Sequence, residues 1–212
     1  MKNSKEQIKR LVLLALFSAL LIVMSYTPLG YLNIGPLAIT FNVIPVALAA
    51  ATLGPSGGAF VGAVFGITSF LQCLGIGGTS AMGVILFDIS PLLTFVQRFF
   101  PRVLEGLLAG FIFKGMKKLT NNAVSCAVTG FATAFLNTAL FMTTLILLFG
   151  NTDYIKDMVG GQNIIVFICS FVGINAVFEI ISATLLTGGI GAALYKAKVV
   201  PQRIQKSGGK AK

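Results

Sequence analysis

The chain has 212 residues, of which 56% are hydrophobic and only 10% charged, with a formal net charge of +10. Soluble domains carry about 25% charged residues, so this composition excludes an ordinary soluble domain and points to one membrane-embedded bundle. The basic residues gather at the two ends and in one connection, not on the folded basic face a nucleic-acid binder needs, and the absence of His removes the commonest general base and metal ligand.

A hydrocarbon core about 30 Å thick takes about 20 apolar residues as a helix, and backbone groups in lipid must be satisfied internally. In chain order the hydropathy pattern predicts six spans, at about 8–27, 38–53, 57–74, 91–118, 122–149 and 163–196. The first follows a basic start and is apolar from Leu11 to Met24. No A-x-A cleavage pattern comes after it, so it is expected to be a retained helix. It carries a strip of small residues, Ala15 and Ala19 with Ser18 beside them, on an otherwise bulky helix. Such a strip suits either a neighbouring helix or a partner protein.

The second and third spans are short and separated by GPSGG (54–58), a Pro/Gly turn. Gly58, Gly62 and Gly66 on the third span, and Gly106 and Gly110 on the fourth, recur every four residues, a spacing that lets helix backbones approach closely. The third span ends near Gln72. The fourth holds Arg98, Arg102 and Glu105 on one helical stripe, with Pro101 expected to kink the helix or to start it. A charge at the bilayer centre costs roughly 2.5–3.5 kcal/mol on insertion scales, so these side chains are expected to face the bundle interior.

The fifth span contributes Asn137 and Thr138, and the sixth contributes Asn175 and Glu179, four residues apart. The sixth exceeds the length a bilayer needs and is expected to protrude or break near Gly188, Gly189 and Gly191. Two readings of the buried polar groups compete. Either the arginines pair with Glu105 and Glu179 to fix helix register, or Arg98 and Arg102 capture a carboxylate while Gln72, Asn137 and Asn175 bond other polar groups. Arg suits bidentate capture of a carboxylate better than Lys does.

Lys2, Lys5, Lys9 and Arg10, then Lys114, Lys117 and Lys118, then six basic residues from Lys196 to Lys212 all fall on one side of a six-span topology. The positive-inside rule makes that side cytoplasmic, with both termini and a basic tail at 201–212. The opposite connections, 28–37, 75–90 and 150–162, hold one Lys, Lys156, and three Asp. Cys73, Cys126 and Cys169 are isolated and read as packing residues rather than a disulfide or zinc framework. There is no G-x-x-x-x-G-K-[ST] phosphate loop, no G-x-S-x-G elbow and no pair of Asp within the spans, so neither an enzyme nor an ATP-binding chain is expected and no cofactor is implied.

The stretch YLNIGPLAITFNVIPVALAAATLGPSGGAFVGAVFGITSF (31–70) combines G-P-x-x-I-x-F-x-x-x-P with L-G-P-x-x-G-x-x-x-G. It resembles the S components of energy-coupling factor (ECF) vitamin transporters, as do the six spans and the A-x-x-x-A formed by Ala15 and Ala19. PRVLEGLLAG (101–110), FLNTALFM (135–142) and INAVFEIISA (174–183) are similar to the pantothenate-type branch. The resemblance implies a micronutrient-binding subunit of the cell membrane that works with a transmembrane coupling subunit and two cytoplasmic ATPases. It also implies a vitamin site on the outer side, between the last three helices and the loops after the first and third, with Ala15 and Ala19 docking the coupling subunit; Tyr31 and Asn33 of the first outer connection are then expected to close the entrance. No Trp and only 4 Tyr tilt the choice away from flat heterocycles such as riboflavin, thiamin or folate, although 18 Phe could stack on one. The rival readings are an S component for another vitamin, a small stand-alone secondary transporter, for which no inverted repeat is visible, and a structural membrane protein.

Overall fold

A computed structural model of the chain describes residues 2–28, 30–33, 38–78 and 80–201. Among these it contains eight helices and one small antiparallel hairpin. The helices are α1 (Lys2–Ser25), α2 (Val43–Leu53), α3 (Pro55–Cys73), α4 (Ala81–Ile89), α5 (Pro91–Leu119), α6 (Asn122–Phe149), α7 (Asp153–Val159) and α8 (Ile164–Lys196). The hairpin strands, β1 (Tyr31–Asn33) and β2 (Ala38–Thr40), pair Tyr31 with Thr40 and Asn33 with Ala38.

Each of the six expected spans is helical, but the second is much shorter than predicted. α2 begins at Val43, because residues 38–40 form β2 instead. Its 11 residues rise only about 16 Å, roughly half a hydrocarbon core, and all of them are buried. α2 is therefore a core helix around which α1, α3, α5, α6 and α8 pack. Four helical segments, Ser4–Ser25, Pro55–Cys73, Asn122–Phe149 and Asn175–Lys196, are long and apolar enough to cross a membrane.

Two expected connections are largely helical. Ser80 caps α4 by accepting from the Gly83 N–H (3.2 Å), and Ser90 caps α5 with Pro91 in its first turn. Thr152 caps α7, which ends at Gly160 in the left-handed conformation that favours glycine. α5 runs through Pro101 as one 29-residue helix, so the proline neither starts nor divides it. α8 likewise continues unbroken past Gly188, Gly189 and Gly191. A Cβ at Gly191 would stand 2.6 Å from Cys126 Sγ, and one at Gly188 3.1 Å from Ala127 Cβ. These two glycines serve close packing of α8 on α6 rather than a break.

The glycine spacing on α3 and α5 joins those two helices. A Cβ at Gly58 would strike the Gly106 carbonyl, one at Gly62 the Arg102 carbonyl, and one at Gly110 the Pro55 backbone. The contact sets the height of α5, and therefore of its arginines, against α3.

The bundle has two distinct ends. At the terminal end, near residues 119–122 and 196–201, buried Lys117 lies 4.6 Å from the Tyr195 ring centroid, and the Tyr195 hydroxyl donates to the Ala51 carbonyl (2.9 Å). At the hairpin end an apolar cluster unites α4 (Met82, Leu86), α6 (Phe141, Met142, Leu145, Phe149), α7 (Ile155) and α8 (Phe167, Val172).

Gly62→Ala should lower stability by about 1–3 kcal/mol, because the added methyl forces α3 and α5 apart. Gly115→Ala, with open space around its Cβ position, should instead be neutral or gain about 0.5–1 kcal/mol. Thermal unfolding of the detergent-purified proteins checks both.

Candidate functional site

A cavity of about 670 Å³ lies at the hairpin end, within the range typical of small-molecule sites. Its walls are the second half of α3, the first half of α5, the second half of α6 and the first half of α8. Residues 25–28 at and after the end of α1, Thr40 of β2, Gly77, Gly78 and residues 80–82 complete the lining. Gln72, Arg98, Arg102, Asn137, Asn175 and Glu179 all line this single cavity, and each is at most 9% exposed.

Helical periodicity explains the convergence. Arg98 and Arg102 are one turn apart on α5, Asn137 and Phe141 one turn apart on α6, and Asn175 and Glu179 one turn apart on α8. Each pair projects from a wall toward the same space. The arginines rest against aromatic rings. Arg98 Cζ lies 5.2 Å from the Phe141 centroid, while Arg102 Cζ lies 4.6 Å from Phe141 and 5.1 Å from Phe65. Arg98 also donates from Nη2 to Ser80 Oγ (3.3 Å) and reaches no carboxylate among the described residues.

Glu179 is committed elsewhere. Its Oε1 accepts from the Thr40 N–H (2.7 Å) and its Oε2 from Asn137 Nδ2 (3.3 Å). This carboxylate ties the hairpin strand β2 to α8 and α6. Glu105 is fully buried, does not line the cavity, and accepts no hydrogen bond among the described residues. Gln72 lines the cavity, yet its Nε2 donates to the Ser25 carbonyl (2.7 Å), and Ser25 Oγ donates to Thr68 Oγ1 (3.2 Å). Gln72 thus also holds the end of α1 against α3.

Tyr31 and Asn33 pair with β2 through their backbones, and their side chains lie outside the described residues. Ala15 and Ala19 are exposed on α1, on the side away from buried Leu13, Phe17 and Leu21. Reasoning from sequence missed Phe65, Phe141, Thr40, Ser80 and Met82. Phe141 had a signal, since it lies one turn from Asn137. Thr40 and Ser80 had none, because loops that return over the helix ends bring them in.

Residues 9–191 match the family described as ECF transporter, substrate-specific component. The chain belongs to that family. Among curated proteins this S component is 29% identical to the pantothenic acid transporter PanT of Lactococcus lactis subsp. cremoris, over 93% of this chain and 98% of that one. It is also 29% identical to the pantothenate transporter PanT of Leuconostoc mesenteroides subsp. mesenteroides, over 92% of this chain and 95% of that one. An S component is a transport subunit, and the apolar helices fit a membrane protein.

Glu179→Ala should cost about 1–3 kcal/mol by leaving the Thr40 amide without its acceptor. Hydrogen exchange at that amide should accelerate. Glu179→Gln keeps an acceptor for Thr40 and should lose less. Equal losses in the two variants would show that this contact does not hold the hairpin.

Proposed function

We propose that this chain is the high-affinity binding subunit of an ATP-driven importer for pantothenate. One observation carries the reading: two buried arginines converge, with Asn137, Asn175 and Glu179, on one cavity of small-molecule size. Pantothenate offers a carboxylate, an amide and two hydroxyls. Arg98 and Arg102 hold the carboxylate by charge-assisted hydrogen bonds. Asn137, Asn175 and Gln72 bond the amide and hydroxyls, with Glu179 accepting from a hydroxyl or orienting the amide groups. Tyr31 and Asn33 close the entrance. The names of the relatives support this choice of vitamin.

The chain passes through the cell membrane as a six-segment bundle, in which α1, α3, α5, α6 and α8 span the hydrocarbon and the short α2, enclosed by them, completes a pass together with the hairpin, with both termini cytoplasmic. The charge distribution supports that orientation, since Lys5, Lys9, Arg10, Lys114, Lys117, Lys118, Lys196 and Lys198 lie at the end opposite the cavity. The cavity then opens outward. A transmembrane coupling subunit docks on α1 at Ala15 and Ala19, whose exposure supports a partner over internal packing. Two cytoplasmic ATPases supply the energy, in keeping with a chain that has no phosphate loop of its own.

Mass spectrometry of small molecules carried through purification should find pantothenate. Arg102→Ala should raise its Kd about 30-fold or more in calorimetry while the bundle stays monodisperse. Unchanged affinity would refute the carboxylate clamp. Ala15→Trp with Ala19→Trp should leave binding by the isolated subunit intact and stop uptake in cells. Loss of binding would mean that α1 packs inward through these residues.

A further inference from the structure

Ser80 makes two contacts and has a hydrogen to spare. Its Oγ caps α4 by accepting from the Gly83 N–H (3.2 Å) and accepts a second bond from Arg98 Nη2 (3.3 Å). A serine hydroxyl has two lone pairs and one O–H. Both lone pairs are taken, so the hydrogen points elsewhere, and it meets no acceptor among the described residues. Ser80 and Arg98 both line the cavity. Arg98 keeps donors in reserve, since Nη2 makes its one hydrogen bond and Nε has no partner among the described residues. Arg102 differs, because the charges of Glu105 and Glu179 both act on it. The start of α4 is also shaped for close approach. A Cβ at Gly83 would stand 3.0 Å from Arg98 Nη2, 3.0 Å from Ser80 Cβ and 2.6 Å from Cys73 Sγ. A side chain at that position would push the guanidinium or the serine aside. Ser80 is held from α3 as well, since its N–H donates to the Gln72 carbonyl (3.4 Å).

We propose that Ser80 and Arg98 form a joint seat for the ligand carboxylate, the serine O–H donating to one oxygen and the guanidinium to the other, with Gly83 as the positioning residue that lets the two meet. The inference rests on the pantothenate reading and goes beyond it by adding a donor from the connection before α4 and by placing the acid preference at the Arg98 end of the cavity.

The test is the ratio of Kd values for panthenol, which has a primary alcohol in place of the carboxylate, and for pantothenate, measured by calorimetry on the detergent-purified chain. Wild type should favour the acid strongly. Ser80→Ala should lower that ratio about tenfold. Ser80→Asp separates the two roles of the serine, because Asp caps a helix as well as Ser does but brings a negative charge where the O–H donor stood. Its Tm should stay close to wild type, and its ratio should fall further than in Ser80→Ala. A second pair of variants acts from outside the cavity lining. Cys73→Ala should keep the wild-type ratio. Cys73→Ala combined with Gly83→Ala, in which the sulfur no longer obstructs the added methyl, should lower it about threefold or more. An unchanged ratio in that double variant would overturn the role given to Gly83. A wild-type ratio in Ser80→Asp, or equal weakening of both ligands in the two Ser80 variants, would reduce Ser80 to a helix cap and overturn the inference while leaving the pantothenate reading intact. A wild-type chain that binds neither compound overturns the pantothenate reading and the inference with it.

Discussion

Two guanidinium groups buried inside a bundle that faces hydrocarbon impose the constraint to which the rest of this structure answers. Removing such ions from water costs several kcal/mol each unless the surroundings compensate. Direct neutralisation by acids is one solution, and Glu105 and Glu179 supply acids enough for it. For Arg98 the fold does otherwise. Glu179 fastens the hairpin through Thr40 and Asn137, and Arg98 meets a ring and a hydroxyl rather than a carboxylate. Arg98 is thus stabilised by groups that leave room for an anion.

Holding the arginines at a fixed depth requires a rigid frame behind them. The glycine contacts between α3 and α5 provide it, because backbone against backbone leaves no side chain to adjust. α2 fills the centre of the bundle with eleven buried residues, and its short length leaves space above it for the hairpin and the cavity. The division of labour follows: the terminal end is packed by aromatic rings and small residues, and the hairpin end is assembled from loop segments and short capped helices over an open site.

That division suits a subunit whose chemistry is confined to recognition. As an ECF substrate-specific component the chain has no catalytic group to place. Its specificity has to come from electrostatics and shape alone. Under the proposed clamp, a cavity with arginines against aromatic rings on one side and amides with a committed carboxylate on another requires a ligand that is acidic in one part and rich in hydrogen-bonding groups elsewhere. Such a requirement rejects incomplete ligands strongly, because a buried polar group left without a partner is costly.

Much of this was legible in the chain itself. Hydropathy located the long helices but not α4 or α7, and one-turn spacing on α5, α6 and α8 picked out polar residues that proved to share one cavity. That worked because lipid forbids a charge from facing outward, so periodicity alone assigns the inner face. The four-residue glycine spacing gave the α3–α5 contact for the same kind of reason. What periodicity could not assign was partnership among inward-facing groups. Whether an arginine meets an acid or a ring, whether Gln72 faces ligand or the Ser25 carbonyl, and whether residues 38–40 extend α2 or pair as a strand all depend on segments far apart in the chain. Composition and spacing determined that this protein is a membrane bundle with a polar interior; only the tertiary packing decided what each polar group touches, because contacts across 40 to 140 residues depend on how helix ends and returning loops meet in space.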